Sequence, residues 1–291
     1  MKVTSIELYT GYIEVAKFEL NNVSSTSPYL VKAILGLDAE QIISKFYGFG
    51  TSGITKLYDY VMPPRQIVIQ LKLNPNRLND VSVSELRDYL YRAVAQSRTG
   101  VLELRFFNGP EYTAYVQGFI TKIEAPLFSK SPLVNITLNC DDPILKAPNS
   151  ILLEYSTHVV DNNPVIIGND ISTAPHGFIM EVTCLVANTD FFVITDYTDS
   201  SAGPDWEFNV RCGYIWNVYG FQVGDKIHMN SMANQKELWV VRNEVKLFIG
   251  DHIGLNSIWP MMFPGLNKIR FRDPTLFDLS YIEYTPVYWG V

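Results

Sequence analysis

Apolar and polar residues alternate with a period of two through much of this 291-residue chain, and this pattern limits the fold more than any other feature. In residues 65–73, Ile67, Ile69 and Leu71 fall on one face and Gln70 falls on the other. Successive side chains of a β-strand point to opposite faces, so the alternation indicates strands with one buried face. The chain is therefore predicted to be mainly β.

One segment has a helical period instead. Ser82 and Glu85 match a capping box, in which the serine hydroxyl accepts from the amide of the third helical residue and the glutamate accepts from the cap amide. Apolar residues then recur at helical spacing at Leu86, Tyr89, Leu90, Ala93 and Val94. With Gly100 as a stop, we predict one amphipathic helix of about 13 residues packed on an apolar surface.

The two halves of the chain differ in pattern. Strands are predicted over 65–73, 101–107, 112–124 and 134–140, so the first half is α+β, with Asn108-Gly109 as a hairpin turn. The second half has no helical period, and its short strand-like runs are separated by Asn, Gly, Pro and Asp. These runs are 151–160, 164–171, 178–186, 191–196, 206–210, 214–218, 238–242, 245–249, 268–272 and 279–284. Such a series predicts a β-sandwich or jelly roll.

The segment 143–149 is short and punctuated by proline, and it marks the predicted boundary between a domain over 1–145 and a domain over 150–291. The formal charge is -7, and no basic run is present, which argues against sequence-specific nucleic-acid binding. No stretch approaches the roughly 20 apolar residues of a membrane span, so membrane insertion is not expected. The alternating N-terminus lacks the apolar core of a signal peptide.

Three cysteines, Cys140, Cys184 and Cys212, are widely spaced and odd in number. This arrangement suits neither a disulfide framework nor a metal knuckle, so we predict reduced core residues in a chain made in a cytoplasm.

Candidate chemical sites are weak. A GxGxxG pattern occurs at Gly48, Gly50 and Gly53, but Pro63-Pro64 follows it where a dinucleotide site needs a helix, so a loop is predicted. The histidines lack paired metal-ligand spacing and are predicted to be surface or hydrogen-bonded residues. They are His158, His176, His228 and His252. The loop acids Asp196, Asp199 and Asp205 miss the EF-hand spacing. We predict no catalytic, cofactor or metal site.

The five tryptophans leave two interpretations open. They are Trp206, Trp216, Trp239, Trp259 and Trp289. Exposed rings on a sandwich face could stack on sugar rings, whereas core packing is the alternative for each of them.

In combination, several segments resemble the distal tail protein (Dit) family of long-tailed phages. In the first half these are the Pro-Pro-Arg65 start of an alternating strand, the helix over 86–90, and the strand end over 136–143. In the second half they are a Trp, then Pro-Gly-x-Asn, pattern within 258–269, and a closing strand and aromatic tail over 282–288. The residues that carry the pattern are Arg65, Leu86, Cys140, Pro143, Trp259, Pro260, Pro264, Gly265 and Asn267.

This resemblance implies an N-terminal belt domain over 1–145, a β-sandwich or split barrel with one helix, that closes a six-membered ring around the tail channel. It implies a galectin-like jelly-roll sandwich over 150–291. The sequence departs from some larger members of the family, because its compact second half has no room for the extra carbohydrate-binding module that they insert, and this argues against direct receptor binding by the chain. The expected partners are copies of the chain itself, the tail tube protein, and tail-tip hub, tail fibre or receptor-binding proteins. The expected location is the virion, and no catalytic activity is implied.

Two alternatives to the ring protein come from the residues themselves. The C-terminal sandwich could be an adhesin module that recognises a host-surface glycan through exposed aromatic rings. A tail-associated hydrolase is the third hypothesis, since two acids need only converge in space, although no pair is singled out by its spacing.

Overall fold

The computed structural model divides into two compact units. Unit 1 comprises Met1–Pro148 and Tyr288–Val291, and unit 2 comprises Asn149–Val287. The chain thus returns to unit 1 for its final residues, which the sequence-based division places in the second domain. The structure describes residues 3–10, 13–20, 28–38, 43–49, 54–61, 63–75, 82–95, 100–126, 132–155, 165–197, 206–215, 218–232, 235–254 and 257–289. The predicted mainly β fold is confirmed.

In the part of unit 1 that the structure describes, ten strands and one helix precede the boundary. They are β1 (Ser5–Thr10), β2 (Ile13–Leu20), β3 (Tyr29–Leu35), β4 (Ile43–Phe49), β5 (Ile54–Val61), β6 (Arg65–Leu73), α1 (Val83–Ala95), β7 (Leu102–Asn108), β8 (Glu111–Glu124), β9 (Leu133–Cys140) and β10 (Leu145–Lys146). The predicted strand over 65–73 and its three successors are found within one residue of their expected ends. Strands β1 to β5 were not predicted.

Seven of these strands form a closed sheet in the order β8-β7-β1-β2-β3-β6-β9, because β9 pairs back with β8. The 14-residue β8 makes this possible: residues Tyr112 to Gly118 pair with β7, and Phe119 to Glu124 pair with β9. All of these pairs are antiparallel except β2–β3. The β2–β3 pair is the short seam of this barrel, since it joins only Glu19 to Leu30 and Leu20 to Val31. Strands β4 and β5 form a separate hairpin.

The barrel interior is filled by alternate residues of its strands, as the period of two predicts. Residues Ile67, Ile69 and Leu71 of β6 are fully buried, and they belong to one apolar cluster with side chains from β1, β7, β8 and β9. Burying each side chain of this size contributes about 1.5–3 kcal/mol relative to leaving it in water. The apolar pattern therefore specifies both the strands and their inward face.

Helix α1 begins and ends as the sequence predicts. The amide of Ser82 donates to Glu85 Oε2 at 2.7 Å, and the amide of Glu85 donates to Ser82 Oγ at 3.2 Å, which is the reciprocal capping box. Leu86, Leu90 and Val94 are buried, and the helix contacts β2 and β6. Tyr89 is 60% exposed, contrary to the prediction. The buried residues of the helix lie four positions apart, and Tyr89, one position before Leu90, falls beside this stripe and not on it.

Within its described residues, unit 2 consists of strands and their connections, with short 3₁₀ turns at Gly250–His252 and Pro274–Leu276. Its strands are β11 (Ile151–Glu154), β12 (Val165–Asn169), β13 (Ile179–Cys184), β14 (Asp190–Tyr197), β15 (Trp206–Arg211), β16 (Tyr214–Ile215), β17 (Val218–Tyr219), β18 (Lys226–Asn230), β19 (Glu237–Arg242), β20 (Val245–Phe248), β21 (Gly265–Phe271) and β22 (Phe277–Tyr284). The final strand, β23 (Val287–Tyr288), continues the sheet of unit 1 beside β10.

Two antiparallel sheets form the sandwich of unit 2. One has the order β11-β22-β13-β18-β19-β20, and the other has the order β12-β21-β14-β15. Side chains of both sheets share one apolar cluster, which includes Met180, Val240, Phe191 and Ile269. The predicted run over 214–218 is split between β16 and β17, and the sequence analysis missed β18. The predicted sandwich is otherwise present, and none of the described helices is long and apolar enough to cross a membrane.

Candidate binding and assembly surfaces

Arg65 ties the end of the chain into unit 1. It is 1% exposed, lies opposite Cys140 in the β6–β9 pair, and donates from Nη2 to the backbone carbonyl oxygen of Trp289 at 2.7 Å. Burial raises the pKa of the Cys140 thiol to about 11, an effect that Arg65 partly opposes. Arg65, Cys140 and the buried Pro143 are therefore structural residues of the barrel.

Close packing beside Cys140 explains a glycine in β8. A Cβ at Gly118 would lie 2.7 Å from the carbonyl oxygen of Asn139 and 2.8 Å from Cys140 Sγ. Leu86, the remaining pattern residue of unit 1, lies in the core, and its carbonyl accepts a hydrogen bond from the Tyr29 hydroxyl at 2.8 Å. The pattern residues of unit 1 thus hold the fold together and do not form a pocket.

The Pro-Gly-x-Asn pattern of unit 2 is a hydrogen-bonded turn. Gly265 has a φ of 94°, in the region that favours glycine. The buried Asn267 side chain accepts from the Phe263 amide at 2.7 Å and donates to the carbonyls of Phe263 and Gly265 at 2.8 and 3.1 Å. The Asn267 side chain therefore supplies hydrogen-bond partners for the backbone of the turn at the start of β21. Pro264 and Gly265 lie in this turn.

Trp259 and Pro260, which precede that turn, face the core. The Trp259 ring packs on Phe208 at a centroid distance of 4.9 Å, and Pro260 is buried. For Trp259 the core alternative is therefore correct. Trp289 is half-buried in unit 1, while Trp216 and the side chain of Trp206 lie outside the described residues.

His176 lies at the centre of a buried polar cluster. Its Nδ1 is 2.8 Å from the Gly177 carbonyl and must donate there, so Nε2 is the acceptor for Asn169 Nδ2 at 3.0 Å and Ser172 Oγ at 3.3 Å. The Ser172 hydroxyl in turn accepts from the amide of Val287 at 3.2 Å. Burial lowers the pKa of His176, and this arrangement suits the neutral ring.

Most of the other candidate ligands lie outside the residues that the structure describes. His158, Asp199, Asp205, Gly50 and Gly53 lie outside the described residues, as does the side chain of Asp196. His252 lies in a 3₁₀ turn, and Gly48 lies in β4 of a hairpin whose second strand replaces the helix of a dinucleotide site. Within the described ranges, no three His, Cys, Asp or Glu side chains are grouped as metal ligands.

All three cysteines are buried and unpaired, in agreement with the prediction of reduced core thiols. Burial raises the pKa of Cys184 to about 11 and that of Cys212 to about 12. These thiols are protonated near neutral pH and are poor nucleophiles.

Trp239 differs from the other described tryptophans because it lies on the outer face of the six-stranded sheet. Residues in register with it cross all six strands as one row, here called the cross-strand row. From β20 to β11 the row reads Phe248, Trp239, His228, Glu181, Tyr281 and Glu154. Only Trp239 and His228 of this row were singled out from the sequence, because the register that joins the six residues is not visible in their spacing.

Comparison with known proteins gives a relationship through structure only. No family model matches the sequence, and no curated protein matches it. The chain has the fold of the Dit protein (gp 19.1) of phage SPP1, with a TM-score of 0.57 and 13% identity over 97% of this chain and 98% of that one. The SPP1 protein is described as a paradigm of the hub adsorption apparatus in phages that infect Gram-positive bacteria.

Two structures of the phage P2 baseplate in its activated conformation, with Ca and with Sr, are more distant. Each is 11% identical, with TM-scores of 0.41 and 0.40 over 98% and 97% of this chain. The resemblance to the distal tail protein family that the sequence suggested is confirmed for the fold.

Proposed function

We propose that this chain is a structural, non-enzymatic component of a phage tail tip, and that six copies close a ring joining the tail tube to the tail-tip hub and the host-adsorption apparatus. The observation that carries the proposal is the fold shared with the SPP1 Dit protein over nearly the whole of both chains. Unit 1 is the ring-forming belt, and unit 2 is the galectin-like sandwich. The partners are the tail tube protein and the hub, fibre or receptor-binding proteins of the virion.

The topology of unit 1 favours one route to self-association. Barrel closure through β8 and β9 pairs the long strands at the ends of the barrel, and the edge that remains beyond β10 is the two-residue β23. The β4–β5 hairpin, in contrast, pairs with no other strand that the structure describes. An isolated two-stranded hairpin is marginally stable in water and gains stability by packing on another surface. In a ring, a different patch on the next copy supplies that surface.

The proposal is tested by the mass of the purified chain in solution. Light scattering and mass photometry are expected to give six times the 33.1 kDa chain mass, or a concentration-dependent approach to it, with six-fold rings in negative-stain images. Replacing residues 43–61 with a short Gly-Ser linker is expected to give a folded monomer. A matched replacement of the β16–β17 hairpin in unit 2 is expected to leave the ring intact.

A chain that stays monomeric at every concentration, or one that closes with a number other than six, would refute the ring. A ring that persists without residues 43–61 would refute the hairpin as its contact, while the ring itself would stand.

A further inference from the structure

The cross-strand row combines aromatic rings at one end with polar groups at its centre. Adjacent strands lie about 4.8 Å apart, so the three strands from Trp239 to Glu181 span about 10 Å along the face. The alternate residues of the same strands, such as Met180, Ile227 and Val240, are buried in the sandwich core. The side chains of the cross-strand row therefore lie on the opposite face of the sheet and point away from that core.

The aromatic end is held in a fixed geometry. Phe248 is 48% exposed and meets Trp239 edge to face, at 5.3 Å between centroids and 70° between planes. The indole Nε1 donates to Glu237 Oε2 at 2.9 Å, which fixes the orientation of the Trp239 ring. A Cβ at Gly250 would lie 2.3 Å from the tip of the Phe248 ring, so glycine leaves the room that this ring occupies.

The centre of the row supplies hydrogen-bonding groups. Burial lowers the pKa of His228, so near neutral pH its ring is a neutral donor and acceptor. Glu181 Oε1 accepts from Lys226 Nζ at 3.1 Å, in an ion pair whose lysine is more than half exposed. The Glu181 side chain is 19% exposed, so its carboxylate is accessible only in part, and the exposed lysine is the partner that a sugar hydroxyl can replace. Tyr281 and Glu154 continue the polar end.

The charge of this face limits what can bind it. Its carboxylates are Glu154, Glu181, Glu237, Asp278 and Glu283, and its ammonium groups are Lys226 and Lys246. An excess of carboxylates repels a polyphosphate or nucleic acid. Hydroxyl groups, in contrast, donate to carboxylates, and the C–H faces of sugar rings pack on aromatic rings.

We propose that the cross-strand row is a binding site for a neutral saccharide chain. One sugar ring packs on Trp239 beside Phe248, and the next units donate hydroxyl hydrogen bonds to His228 and Glu181. This function is independent of ring formation and uses a surface of unit 2 only.

The test uses the full chain and a panel of neutral tetrasaccharides of glucose, galactose and N-acetylglucosamine, with polyglycerol phosphate as the anionic comparison. Calorimetry and saturation-transfer NMR are expected to show saturable binding of at least one neutral member, with a Kd of about 1 mM or below, and none of the polyanion. Trp239→Ala is expected to weaken binding about tenfold or more, and Glu181→Gln several-fold.

Trp259→Phe is the matched control, because it alters a tryptophan of the same unit that packs in the core. It is expected to keep the affinity. Phe248→Ala, on the edge strand, is a second variant should Trp239→Ala unfold, and circular dichroism reports folding of each. The proposal fails if no panel member binds at about 10 mM, if the polyanion binds best, or if binding survives both ring deletions. Light scattering on the same samples separates this failure from loss of the ring.

Discussion

The barrel of unit 1 and the sandwich of unit 2 are both mainly antiparallel, yet they bury polar groups to different extents. Among the described residues, the buried polar side chains of unit 1 are Ser5, Glu7, Arg65 and Thr137. Those of unit 2 are Asn169, Ser172, His176, Thr195, Asp225, Asn230, Ser231 and Asn267. In a closed barrel, strand pairing supplies hydrogen-bond partners for most backbone N–H and C=O groups. In the open sandwich, polar side chains supply such partners for the backbone of the connecting segments.

The Asp225–Arg242 pair shows this most clearly. Asp225 is 1% exposed, and Arg242 binds both of its carboxylate oxygens, at 2.7 and 2.5 Å. The same carboxylate accepts from the amide of Gln222, and Arg242 also donates to the carbonyl of Gly220. The pair thus links strand β19, which carries Arg242, to the connecting segment before β18, which carries Asp225. Unit 2 therefore contains a buried ion pair whose loss can be compared with the loss of an exposed one.

The largest expected effect comes from breaking this pair. Arg242→Met leaves the Asp225 carboxylate buried without its counter-ion, and we expect unit 2 to lose about 3–5 kcal/mol of unfolding free energy. Urea denaturation followed by tryptophan fluorescence measures it, because four of the five tryptophans lie in unit 2 and only Trp289 lies in unit 1.

The control is Arg211→Met, which removes an exposed arginine paired with Asp190 in the same unit. Screened surface pairs contribute little, so the denaturation midpoint is expected to stay nearly unchanged. Equal losses in the two variants would contradict the contrast between buried and exposed pairs.

The next effect is a pH dependence confined to unit 2. The pKa of folded His176 is lowered, so the unfolded chain takes up its proton first as pH falls. The contribution of His176 is complete above its unfolded pKa of about 6.5 and is lost below it, with a slope of at most about 1.4 kcal/mol per pH unit. Asn169, Ser172 and Tyr284 face the ring, and none carries charge at neutral pH.

Denaturation between pH 7 and pH 5 is expected to show this slope in the fluorescence of unit 2, and His176→Gln is expected to flatten it. His228, whose pKa is also lowered by burial, contributes the remainder. An unchanged slope in His176→Gln would assign the dependence to other groups.

The smallest effect tests unit 1 at its one helix. Ser82→Ala removes the hydroxyl that accepts the Glu85 amide, and a lost cap of this kind costs about 1 kcal/mol. Thermal unfolding by circular dichroism is expected to show a small decrease assigned to unit 1, while Ser84→Ala, at an exposed site of the same helix, leaves it unchanged. Equal effects of the two serines would exclude the capping box as the cause.

The features that could be predicted from the sequence are local. Strand β6 and helix α1 follow from period and capping. The predicted hairpin turn is displaced by one residue, since Asn108 ends β7 and pairs with Glu111, while Gly109 with its positive φ and Pro110 form the turn. Strand β18 was missed because Lys226–Asn230 is short and contains only one β-branched residue, Ile227. Its burial depends on neighbours distant in sequence.

Non-local features were not predictable for the same reason. Closure of the barrel requires β8 to meet β9 beyond its pairing with β7, and the cross-strand row brings Glu154 and Phe248 into one line through five strand pairings. Register depends on turns and bulges as well as on alternation. The pattern residues carried the resemblance to the fold, whereas only Trp239 and His228 of the row were singled out from the sequence.

The return of the chain to unit 1 at Tyr288 also has a genetic consequence. Residues 149–287 are an insertion within the chain of unit 1, and Arg65 holds the segment that follows them. Exchanging the sandwich between related genes therefore requires two recombination junctions, one on each side of the insertion. A single crossover near codon 149 would replace the closing segment as well, and that segment would then have to fit a barrel inherited from another parent.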